Sequence, residues 1–195
     1  MRRPSSSQRR FVILSLALLT FGLAYYAGIS HKTSRDTPKI SGITISPPTP
    51  VPTFKLQDQS KEPFENHRLL DHWSLLMLDP SGRSQPTPAF TRLLKVHNRI
   101  ATHPELQQKA HYLYLPKSKE AALDSTISQL SGNIFGLQGS PTQIEEAFNK
   151  FGVDLNSSEP VLYLIGPEGH LHALFTDGVD AATIARDLIQ ILTST

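Results

Sequence analysis

The alternation of apolar and polar positions divides the chain into three parts. Residues 11–29, FVILSLALLTFGLAYYAGI, carry no charge. At ~1.5 Å rise per residue a helix of that length spans roughly 28 Å, close to a bilayer core. Arg2, Arg3, Arg9 and Arg10 precede it, and Tyr25 and Tyr26 stand near its far end, where amphipathic rings favour the membrane interface. The pattern predicts a single transmembrane anchor, with residues 1–10 in the cytoplasm and residues 30–195 in the periplasm. A cleaved signal peptide is the competing reading. It calls for a shorter apolar region and a small-x-small cleavage site, which Ala24-Tyr25-Tyr26-Ala27 does not supply cleanly. Residues 30–53 interleave Pro38, Pro47, Pro48, Pro50 and Pro52 with Ser, Thr and Lys, which predicts an extended linker.

Residues 54–195 change period repeatedly, as a folded domain does. Phe54–Leu56 and the surroundings of Phe64 read as a short hairpin around the polar turn DQSKEP. Trp73–Leu78 is an unbroken apolar run, typical of a strand covered on both faces. Apolar residues at Phe90, Leu93, Leu94, Val96 and Ile100 keep helical spacing, with Thr87 as N-cap, Pro88 at the first helical position and His103-Pro104 as the stop. AHYLYLP (110–116) reads as a second core strand, followed by a helix from Ser118 to about Leu130. NIFGLQG is a short strand or loop. Ser140 opens a helix that stops at Gly152. VLYLIGPEGHLHALF (161–175) is a hairpin, and Asp180 caps a last helix burying Ile184, Leu188, Ile189 and Leu192. A β-α-β unit followed by an antiparallel hairpin and a final helix implies an α/β domain, a mixed sheet with helices on both faces. That is the thioredoxin-like arrangement.

Composition narrows the chemistry. The chain of 195 residues contains no Cys, which removes disulfides, thiolate metal sites and cysteine nucleophiles. The net charge of +2 hides an asymmetry. Residues 1–53 hold seven Lys/Arg against one acid, whereas residues 54–195 hold twelve against sixteen. The domain is therefore mildly acidic and lacks the clustered basic face that nucleic acid requires. No G-x-S-x-G elbow, phosphate loop or dinucleotide fingerprint is present, so the expectation is a protein that is not an enzyme and has no cofactor.

Five stretches carry a family resemblance: FKLQDQSKEPF (54–64), WSLLML (73–78), IFGLQGSPTQIEEAFNKFGV (134–153), VLYLIGPEGHLHALF (161–175) and ATIARDLIQIL (182–192). They resemble the Sco/SenC proteins, membrane-anchored thioredoxin-like copper chaperones of cytochrome oxidase assembly. The anchor and linker fit the same family. The resemblance implies a C-P-x-x-C-P turn and a His before the YLIGP strand, a ligand set suited to Cu(I). By position, Arg83 and Thr87 stand where the two Cys would be, and Ser158 where the His would be. The family's acidic D-P-x-x-D-T stretch is reduced to LPKSKE. The resemblance thus implies a copper site that has been lost, and thiol–disulfide exchange lost with it. It also implies partners among cytochrome oxidase subunits or copper-delivery proteins, met through a surface at Asp79, Arg83, Thr87 and Pro160. Pro160 stands where many thioredoxin-like proteins have a cis-proline. That position also resembles the TlpA/ResA type, for which a cis Glu159–Pro160 bond would speak and a trans bond would not.

Individual residues admit two readings each. Asp79 and Arg83 form either a loop ion pair worth little or a charge arrangement that shapes the turn for a partner. His170 and His172 share one strand face and either chelate a metal or face solvent. His67 and His72 are spaced across a predicted loop, where surface histidines are the simpler reading.

Overall fold

The domain is built on β4 (Trp73–Asp79), whose burial explains its unbroken apolar sequence. Leu75 and Met77 point into one hydrophobic core, while Leu76 and Leu78 point into another on the opposite face. The structure is a computed structural model that describes Thr20 and residues 40–82, 87–118, 127, 130 and 132–194. In chain order the other elements are β1 (Ile43–Pro50), β2 (Lys55–Gln57), β3 (Pro63–Glu65), α1 (Pro88–Ile100), α2 (Pro104–Gln107), β5 (Ala110–Pro116), β6 (Ile134–Gly136), α3 (Pro141–Lys150), β7 (Val161–Ile165), β8 (His170–Phe175) and α4 (Ala181–Ser194). A 3₁₀ turn, Asn66–Leu69, joins β3 to β4.

Six strands form one mixed sheet in the order β1-β8-β7-β4-β5-β6. β4 runs parallel to β5 and antiparallel to β7, with Leu76 opposite both Leu113 and Tyr163. α1 and α4 cover one face, where Phe90, Leu93, Ile184 and Leu188 are buried. α3 and the β2–β3 hairpin cover the other, where Phe54, Phe64, Ile144 and Phe148 meet. The thioredoxin-like α/β arrangement with helices on both faces is therefore present.

The caps expected at Thr87, Ser140 and Asp180 form. Thr87 Oγ1 accepts from the Phe90 N–H at 3.1 Å. Ser140 and Gln143 complete a reciprocal capping box on α3. Asp180 Oδ1 accepts from the Ala182 and Thr183 N–H groups.

The reading of residues 30–53 as linker needs correction. Ile43–Pro50 is an edge strand that pairs antiparallel with β8, Thr44 opposite Ala173 and Thr49 opposite Leu171. The contacts that hold it are distant in sequence. The buried Asp187 on α4 accepts from the Ser41 N–H at 2.6 Å. Gly42 lies so close to β8 that a Cβ there would sit 2.6 Å from the Leu174 carbonyl oxygen. At the other edge, the Gln59 side-chain amide takes the place of a neighbouring strand. Its Oε1 accepts from the Gly136 N–H at 3.1 Å and its Nε2 faces the Ile134 oxygen at 3.5 Å.

The anchor expected at residues 11–29 lies, apart from Thr20, outside the described residues. Among the described residues no helix is long and apolar enough to cross a membrane. Most of the helix expected after Ser118 also lies outside them; Ile127 is helical and buried.

Candidate functional site

The candidate site lies at the C-terminal end of β4, where the strand passes into the turn before α1. Strand alternation places Asp79 on the same face as Leu75 and Met77. Tyr114 of β5 lies on that face too, in register with Met77. Its hydroxyl donates to Asp79 Oδ2 at 2.7 Å and lies 2.9 Å from Thr87 Oγ1. Asp79 Oδ1 accepts from the Ser81 N–H at 3.0 Å. Asp79 and Thr87 are each 2% exposed. Burial pushes the Asp79 carboxyl up, but hydrogen bonding from Ser81, Tyr114 and Thr87 outweighs it and holds the group below the ordinary carboxylate range. A buried, ionised carboxylate thus forms the centre of a network that closes the turn onto the sheet.

Beside this network is a recess of about 240 Å³ lined by Asp79, Ser81, Pro88, Ala89, Ser158, Glu159, Pro160 and Asp177. Asp79, Ser158 and Pro160, expected from sequence to stand near one another, do meet here. Thr87 supports the floor from behind. Arg83 lies outside the described residues. Asp79, Thr87 and Pro160 are buried, so they form floor and wall, and the accessible rim is Ser81, Ser158, Glu159 and Asp177. The rim segment is held by its own hydrogen bonds, Ser157 Oγ accepting from the Glu159 N–H at 3.0 Å. The Glu159–Pro160 bond is trans, since among the described residues only Ser46–Pro47 is cis.

Tyr114 and Asp177 enter the site without having been singled out from sequence. Asp177 comes from the turn between β8 and α4, where Arg92 organises the backbone. The Arg92 guanidinium donates to the Thr176 carbonyl at 2.6 Å and to the Val179 carbonyl, and lies 3.5 Å from Asp177. Nothing in the sequence separates Tyr114 from Tyr112, the other hydroxyl on the same strand.

The donor set does not suit copper. Cu(I) selects thiolate and imidazole ligands. Here Thr87 Oγ1 is engaged by the Phe90 N–H and the Tyr114 hydroxyl, Ser158 offers an exposed hard oxygen, and among the described residues no His lines the recess. His170 and His172 are distant from it, on β8. His172 pairs with Glu168, which it helps hold below the ordinary range, and sets its ring edge-on to Trp73 at 5.1 Å. Among the described residues no three His, Cys, Asp or Glu side chains gather where they could hold a metal. A larger recess, about 420 Å³, opens between the β2–β3 hairpin and α3. Its charges neutralise one another, Lys150 meeting Glu146 at 2.7 Å, and among the described residues no unpartnered buried polar side chain belongs to its lining, so the smaller recess is the better candidate.

No family profile matches the chain, and no curated protein does. Solved structures do. Copper-bound yeast Sco1 superposes with a TM-score of 0.62 at 21% identity, covering 76% of this chain and 95% of that one. BsSco, described as a member of the Sco family of cytochrome c oxidase assembly proteins, gives 0.59 at 18% identity, over 78% and 99%. The thioredoxin domain of a thiol-disulfide oxidoreductase from Bacteroides vulgatus gives 0.55 at 7% identity, over 74% and 96%. The fold of residues 40–194 is thus the thioredoxin-like fold of the Sco structures.

Proposed function

We propose that the protein is a copper-free, non-catalytic accessory factor on a Sco-type scaffold, acting through protein contacts in the assembly of a respiratory oxidase or the maturation of another envelope metalloprotein. One observation carries this reading. At the position of a ligand turn, the Thr87 hydroxyl is tied into a buried Asp79–Tyr114 network, so the turn is stabilised from within and needs no metal to hold it. In this reading residues 11–29 anchor the chain in the cytoplasmic membrane, and the domain works in the periplasm. The rim at Ser81, Ser158, Glu159 and Asp177, together with Arg83, meets the partner.

Copper titration against a chromophoric Cu(I) chelator tests the first half. The expected result is no competition, and tight binding of one ion per chain would overturn the copper-free assignment. Oxidase activity in membranes of a deletion strain tests the second half. A fall is expected, and wild-type activity would remove the assembly role.

A second reading is a thioredoxin-like interaction module unrelated to copper. The likeness to the Bacteroides vulgatus thioredoxin domain favours it, while the trans Glu159–Pro160 bond counts against a TlpA/ResA type. A photocrosslinker placed at Ser158 separates the two. Capture of oxidase subunits supports the first reading, and capture of envelope proteins from another pathway supports the second.

A further inference from the structure

At the end of the sheet remote from the recess, two imidazoles lie face to face. His72, immediately before β4, stacks on His111 of β5 with ring centroids 4.0 Å apart and planes 14° from parallel. Its Nδ1 faces the Leu70 carbonyl at 3.0 Å, which fixes the ring. On the far side His111 meets Phe135 of β6 edge-on at 5.2 Å. The Nδ1 of His111 is buried without a hydrogen-bond partner, as is the hydroxyl of Ser74, its register neighbour on β4.

This geometry suits a proton and not a metal. An imidazole lone pair lies in its ring plane, so two nearly parallel rings cannot both direct one at a single ion. Protonation of both, by contrast, sets like charges about 4 Å apart, within the range where they repel strongly. The charged groups facing the pair reinforce this. The 3₁₀ turn contributes Arg68, whose guanidinium lies 4.5 Å from the Phe64 ring centroid and 5.1 Å from that of Phe135. The β2–β3 turn contributes Asp58, but its carboxylate is bound to Arg68 at 2.8 Å. β4 places Ser74 in register with His111, and β6 sets Phe135 against it.

We propose that the His72–His111 stack is an acid-operated latch: neutral, it clips residues 66–72 onto the β5–β6 margin of the sheet, and charged, it releases them. Burial above all, with His72 and Arg68 adding to it, brings His111 down from 6.5 to about 4 in the closed form. A released imidazole returns to its ordinary value, so near pH 4.5 proton binding weights the released form by a factor of about 80. Release would lift Leu69 out of the second core and Arg68 off two phenylalanine rings, uncovering an apolar patch at the sheet margin.

Hydrogen-exchange mass spectrometry on the full chain at pH 7 and pH 4.5, with rates corrected for intrinsic pH dependence, tests the latch. The expected result is a loss of protection of about tenfold or more at residues 66–72 in acid, with β4 and β5 unchanged. His111→Phe keeps the stacked ring but cannot charge, and it should hold the segment at both pH values, as should His72→Phe. Equal wild-type protection at the two pH values would overturn the latch. So would acid loss of the same size in His111→Phe, or loss in β4 and β5 together with the segment.

Discussion

Tyr114→Phe is the sharpest perturbation of the turn. It removes one oxygen and keeps the ring, so packing against Phe90, 5.0 Å away between centroids, is retained. What is lost is a 2.7 Å hydrogen bond to the buried Asp79 carboxylate and a 2.9 Å contact with Thr87. A hydrogen bond to a charged group contributes about 1.5–3 kcal/mol, and taking about 2 kcal/mol predicts a fall in Tm of roughly 4–8 °C for a domain of this size. The pH dependence identifies the cause. Asp79 is held below its ordinary value of 3.8, so its contribution is present above that pH and lost as pH falls through the lower folded value. Thermal melts of wild type and Tyr114→Phe should therefore differ most near pH 7 and converge in strong acid. A double-mutant cycle with Asp79→Asn should show coupling of about 1–2 kcal/mol. A penalty of the same size at pH 7 and pH 3, or additive effects in the cycle, would refute the network as the source of stability.

Three other substitutions probe the rest of the frame. Tyr112 lies on the same strand face, but its buried hydroxyl has no hydrogen-bond partner, and burial alone pushes its ionisation well above the ordinary tyrosine range. Tyr112→Phe should accordingly leave the domain unchanged or stabilise it by up to about 1 kcal/mol in urea unfolding, the opposite sign to its neighbour. Gln59→Ala removes the amide that pairs with β6 and should cost about 1 kcal/mol, with faster exchange of the Gly136 amide as its local signature. Gly42→Ala places a methyl 2.6 Å from the Leu174 oxygen. It should detach β1, read as accelerated exchange at the Ala173 and Leu171 amides, while β4 remains protected.

The parts of the fold legible in the sequence are those whose signals are local. β4 could be read because both its faces are buried, and the N-caps at Thr87, Ser140 and Asp180 because a cap needs only a few consecutive residues. β1 could not, because Pro47, Pro48 and Pro50 have the composition of a spacer. Its pairing depends on Asp187 and Leu174, both more than a hundred positions away. The site divides the same way. Asp79, Thr87, Ser158 and Pro160 could be found from spacing within a family pattern. Tyr114 could not, since its role arises only when parallel pairing of β4 and β5 brings it to Asp79, and Asp177 depends on Arg92 shaping a remote turn.

The edge strand also decides where this domain can be cut. β8 has β7 on one side and β1 on the other. A fragment starting at residue 54 would lose Val51 from the second core but keep the rest of both, and would leave the outer backbone groups of β8 open. Such a row is a template for a strand from another molecule. β1 itself is a poor template, because its three prolines carry no N–H to offer a further chain. The segment that looks like a tether is in this sense a terminator, and a soluble, monomeric fragment has to begin upstream of Ser41.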